Sequence, residues 1–117
     1  MRRAMAGLII AFAAFPTNAA DLQAPVALVY GANLAALCRA DKKSGEYAMC
    51  WSYVGAVLEI VNNNSIYGLK VCVPPLINIQ KEVNITTKWL DGHPSADIKP
   101  ASLLTTEALA AAFPCAK

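Results

Sequence analysis

The sequence has one histidine, His93. Any Ser–His–Asp or Cys–His arrangement would have to be built on it. It stands in a Gly-His-Pro turn behind a predicted helix end, where a cationic imidazole favours the helix dipole. A structural role is therefore expected. There is no Walker loop, no GxGxxG and no HExxH, which removes the nucleotide and zinc-protease chemistries those motifs carry. No two cysteines form a CxxC pair, which disfavours zinc knuckles and a thioredoxin-like redox pair. The acids Asp21, Asp41, Glu46, Glu59, Glu82, Asp91, Asp97 and Glu107 are scattered. Nothing in their spacing sets two carboxylates face to face, as glycoside hydrolysis requires. Each is expected on a solvated helix face or in a loop. Internal repeats, low-complexity tracts and linkers are also missing. No catalytic residue, metal or cofactor is expected.

What is present begins with a leader. Met1-Arg2-Arg3 is basic, Leu8 to Phe15 is apolar, Pro16 breaks the run, and Thr17-Asn18-Ala19-Ala20 supplies small residues. This is the three-part layout of a secretory signal, with cleavage expected after Ala20. The apolar run is short of the roughly 20 residues a permanent span needs. Residues 1–20 are thus read as a signal peptide and 21–117 as one domain, with no membrane span in the mature form. Arg2 and Arg3 leave with the leader, so eight basic residues remain against eight acidic ones. A neutral domain is a poor partner for nucleic acid, whose binding rests on several neutralising Lys or Arg.

Four cysteines remain in about 97 residues. A domain this small is marginal on its core alone, and an even cysteine count in an exported chain reads as two disulfides. Four segments carry helical spacing. The first runs from about Pro25 to Arg39, with Leu28, Ala32, Ala35 and Ala36 as its inner stripe. The second runs from Glu46 to Val61, with Cys50, Tyr53, Val54, Val57 and Val61, and stops at Asn62-Asn63-Asn64. Tyr67 to Cys72 is short and extended. The third runs from Asn78, a good N-cap, to Asp91, with Ile79, Val83, Thr86, Trp89 and Leu90 inward and Gly92 and Pro94 ending it. The fourth runs from Pro100 to Phe113, with proline at the first helical position and Leu104, Ala108, Ala111 and Ala112 inward. The expected fold is all-α: a small bundle of four main helices. Trp51, Tyr53 and Trp89 are expected in its core, and a buried Trp89 indole would need a hydrogen-bond partner.

Three cysteine pairings are possible. Cys38 ends the first helix and Cys50 lies in the first turn of the second, so an antiparallel hairpin brings them together. Cys72 precedes the proline loop, and pairing it with Cys115 ties the C-terminal tail to the middle of the domain. Cys38–Cys50 and Cys72–Cys115 are the favoured bonds.

The ordered elements Cys72-Val73-Pro74, Lys88-Trp89-Leu90, His93-Pro94, Pro100-Ala101, Leu103-Leu104, Ala108-Leu109 and Ala112-Phe113-Pro114-Cys115, with Cys50 and Tyr53-Val54 before them, resemble the Rap/Tai family of type VI secretion immunity proteins. The chain departs from the family pattern at two positions: Ala56 stands where the family has glycine, the glycine here being Gly55, and Lys81 where it has glutamine, the nearest being Gln80. The resemblance implies a periplasmic inhibitor, often a homodimer, that binds a peptidoglycan amidase effector and occludes its cleft without chemistry of its own. The contact loop is expected at 91–99, through Asp91, His93, Ser95, Asp97 and Lys99. The alternative is a periplasmic structural or chaperone-like interaction protein with no toxin partner.

Overall fold

A computed structural model describes residues 29–117. The expected leader over 1–20 and the first residues of the first predicted helix, 25–28, lie outside the described residues.

Four helices form the domain: α1 (Gly31–Arg39), α2 (Gly45–Val61), α3 (Ile79–Gly92) and α4 (Ala101–Ala112). The fold is the all-α bundle expected, pinned by Cys38–Cys50 and Cys72–Cys115 with Cα separations of 5.1 and 5.0 Å. Side-chain caps set the starts of two helices. The Ser44 hydroxyl accepts from the Tyr47 N–H at 3.1 Å and starts α2. Asn78 Oδ1 accepts from the Gln80 N–H at 2.8 Å and starts α3. Both satisfy amides that the first helical turn leaves orphaned. Between α2 and α3, β1 (Ser65–Ile66) and β2 (Leu69–Lys70) pair antiparallel. Tyr67 and Gly68 turn the hairpin with φ of +56° and +72°, the sign a tight two-residue turn demands at both positions.

α1 begins later than its sequence pattern. Val29 and Tyr30 are extended, because their backbone pairs with the segment before α4: Ala101 N–H donates to the Val29 carbonyl at 2.7 Å and Gly31 N–H to the Lys99 carbonyl at 2.9 Å. Pro100 accordingly caps α4 from outside, and Ala101 is the first helical residue. Gly31 allows this crossing. A Cβ there would lie 2.5 Å from Leu104 Cδ1 and 2.9 Å from the Ala96 carbonyl oxygen.

Buried Leu34, Cys38, Tyr47, Cys50, Val54, Val83, Leu90 and Leu104 fill one half of the core. Val57, Val61, Val71, Val73 and Leu109 fill the other half, around the second disulfide. Gly55 brings α2 close to α3, since a Cβ there would meet Ile79 at 3.3 Å. Gln80 Nε2 donates to the Tyr47 hydroxyl at 2.6 Å across the same contact.

The inner stripes of α1 and α4 differ from those expected. α1 buries Gly31, Leu34, Ala35 and Cys38, leaving Ala32 and Ala36 in solvent. α4 buries Ala101, Leu104, Thr105, Thr106, Ala108 and Leu109, leaving Ala111 and Ala112 exposed. Alanine-rich helices carry little phase information, so the large leucines decide which face turns inward. Trp51 is not in the core either: it is 42% exposed.

Candidate partner-binding surface

Residues 91–99 are held by their backbone and, Ala96 apart, present their side chains outward. Asp91, in the last turn of α3, accepts from Arg39 Nε at 2.8 Å, and a second guanidinium nitrogen reaches the same oxygen. This exposed pair ties the ends of α1 and α3 together. His93 caps α3, and its Nδ1 lies 2.7 Å from the Trp89 carbonyl oxygen. A carbonyl only accepts, so Nδ1 carries the hydrogen, and the ring occupies the helix-end position expected of it. The imidazole stacks on the Trp89 indole with centroids 4.0 Å apart and planes at 19°.

Beyond it, the 3₁₀ turn Pro94–Ala96 lowers Ala96 into the core. The carbonyls of Asp97 and Lys99 then accept from the first amides of α1 at 3.1 and 2.9 Å. The side chains of Asp91, His93, Ser95, Asp97 and Lys99 are all exposed on this one strap. Ile98 joins them, 83% exposed.

Trp89 is half-buried, on one wall of a crevice between α3 and α4. The crevice holds about 370 Å³ and is lined by Ile85, Lys88, Trp89 and His93 on one side and Ala108, Ala111 and Ala112 on the other. The Trp89 indole N–H is shielded from water and finds no acceptor among the described residues.

A second polar group was unforeseen. Glu82 is fully buried, and neither of its carboxylate oxygens has a partner among the described residues. Burial raises its pKa above the ordinary carboxylate value, against a smaller lowering by the Lys81 charge. The hydroxyls of Thr86, one turn further along α3, and of Thr105 on α4 are likewise buried and unpartnered. The expectation that every acid is solvated therefore fails at Glu82. Its helical phase was the available signal: positions 79, 82, 83, 86 and 90 make one unbroken inner stripe.

On α2, Met49 and Ile60 are each 60% exposed and lie on one outward face with Ser52 and Ala56. Glu82 is closed to solvent, and both cysteine pairs are oxidised. No group of three His, Cys, Asp or Glu able to hold a metal occurs among the described residues. No helix among them is long and apolar enough to cross a membrane. The exposed features of these elements are the 91–99 strap, the α3–α4 crevice beside it and the outer face of α2.

A family model described as Rap1a immunity proteins matches residues 30–115. Neither the curated proteins nor the solved structures give a match.

Proposed function

The chain belongs to the Rap1a immunity protein family, and from that membership we propose a periplasmic immunity protein that binds a peptidoglycan amidase effector of type VI secretion. Its action is occlusion of the enzyme's cleft, and it performs no reaction itself. The observation that carries this reading is the extent of the match. It takes in all four helices, all four cysteines and the 91–99 strap. Two disulfides in so small a domain support an oxidising compartment, which the leader expected over residues 1–20 would deliver it to.

The surface assigned to the effector is the strap, through Asp91, His93, Ser95, Asp97 and Lys99. A strap whose backbone is already fixed loses little conformational entropy on docking, and that favours affinity. Homodimerisation belongs to the same proposal, with the apolar outer face of α2 as the pairing surface.

The test is periplasmic expression of the neighbouring candidate amidase with and without this protein, scored by lysis. Rescue is expected. Unchanged lysis, with both proteins folded and exported, rejects that partner. If rescue occurs, His93→Ala and Asp97→Arg are expected to weaken it more than substitutions on other faces, because a few anchors carry most of an interface's affinity. Rescue undiminished by both variants removes the strap from the interface.

A further inference from the structure

The crevice between α3 and α4 has a chemistry of its own. Its floor and far wall are apolar, formed by Ile85, Ala108, Ala111 and Ala112. Every polar side chain on its border is basic or a donor: Lys88, the Trp89 indole and His93. None of the lining residues among those described is acidic. The Trp89 N–H is out of reach of water and has no acceptor among the described residues, a deficit of the kind that costs about 1–3 kcal/mol. Indole and imidazole are stacked 4.0 Å apart, and the His93 Nδ1 bond to the Trp89 carbonyl holds the pair in place. That wall is therefore fixed before anything binds. The volume, about 370 Å³, lies at the small end of the range for ligand pockets and suits one or two side chains.

Donors and positive charge on one border, with apolar walls elsewhere, are complementary to a carboxylate carried next to an apolar group. We propose that the α3–α4 crevice is an anchor pocket that receives an acidic side chain of the partner protein, with a neighbouring apolar residue seated against Ile85, Ala108 and Ala111. The carboxylate pairs with Lys88 at the rim, and the Trp89 indole, its N–H closed to solvent, forms the wall beside it. The crevice borders the strap through His93, so one partner surface covers both. The inference takes only the partner's identity from the immunity reading.

The chain has two tryptophans, Trp51 and Trp89, so its two indole N–H resonances are readily separated by NMR. The exposed Trp51 serves as the internal control. The probe is N-acetyl-leucyl-glutamate with its α-carboxyl blocked as the methyl ester, titrated to millimolar concentration beside the N-acetyl-leucyl-glutamine methyl ester and acetate. A saturable shift of the Trp89 indole resonance is expected with the acid, at least tenfold weaker with the amide. Lys88→Gln should weaken binding of the acid by up to about fivefold, the range for a partly exposed charge contact. Ala111→Leu fills the crevice from an exposed position, leaves the fold intact by circular dichroism, and should abolish the shift.

No saturable shift, equal binding of acid and amide, or undiminished binding by Ala111→Leu overturns the proposal. Acetate binding as tightly as the dipeptide makes this a site for a free small anion and overturns the protein-anchor assignment. No amidase enters this experiment. Its failure leaves the immunity reading standing, and failure of lysis rescue leaves the pocket standing.

Discussion

Glu82 shows how one residue can set the pH response of a small core. A carboxylate excluded from water is costly in its charged form, so burial shifts it toward the protonated acid. The folded pKa is raised above 4.5, and the folded state therefore binds this proton more tightly than the unfolded chain does. Stability from this group is complete below the unfolded pKa and is lost as pH rises through the folded pKa. Denaturant unfolding should thus show a fall in stability from about pH 4.5 upward that Glu82→Gln flattens. Glu82→Leu also removes the two unpartnered oxygens and should raise stability at neutral pH by about 1–3 kcal/mol. A stability profile that is the same for wild type and Glu82→Gln would place the Glu82 proton at its unfolded affinity and contradict the burial argument. By contrast, the Arg39–Asp91 pair is about half-exposed on both sides and contributes less than about 1 kcal/mol.

Among the elements, the disulfides fasten the two ends of the bundle. Cys38–Cys50 closes a separation of 12 residues and Cys72–Cys115 one of 43. The chain-entropy relation assigns about 3 and about 4 kcal/mol to them, together comparable with the whole stability of a small domain. Replacing Cys72 and Cys115 by serine should therefore destabilise more than replacing Cys38 and Cys50. It should also release the tail, because Cys72 N–H donates to the Phe113 carbonyl at 3.0 Å beside the bond. Urea unfolding of both double variants checks the order, and an equal or reversed order rejects the loop-length account. The elements also divide by how well the sequence announces them. α2 and α3 were legible because branched and aromatic side chains recur at helical spacing, and Asn78 marks the start of α3. The start of α1 was not, since Val29 and Tyr30 are drawn into extended structure by the distant segment 99–101. The buried face of α4 was hidden by its threonines. Thr106 returns its hydroxyl to the Ser102 carbonyl at 2.7 Å and then packs as an apolar residue. Of the proposed recognition surface, the strap could be located from Gly92 and Pro94. The crevice could not, because it exists only where α3 and α4 meet.

For the whole molecule, the outer face of α2 decides what a second copy would do. A helix that is apolar on both sides normally has a neighbour on both, and among the described residues α2 has neighbours only on its inner side. Met49, Ala56 and Ile60 follow one another at helical spacing there, in a stripe free of charge. A pair of such stripes crossing about a two-fold axis is self-complementary, although a stable dimer must bury on the order of 1,000 Å² or more. Further surface beside the stripe would have to widen the contact. Sedimentation at micromolar concentration should show a dimer for the wild-type mature protein and a monomer for Met49→Asp combined with Ile60→Asp. Both side chains are 60% exposed, so the double variant should keep its fold, with changes in monomer stability near the ±0.5 kcal/mol typical of surface positions. A wild-type monomer rejects the homodimer, and a dimer that survives both aspartates moves the interface to another face. Lysis rescue by the monomeric variant then has a definite meaning. If it is retained, one copy of strap and crevice is enough to hold the amidase. If it is lost while the fold persists, the two copies act on the enzyme together.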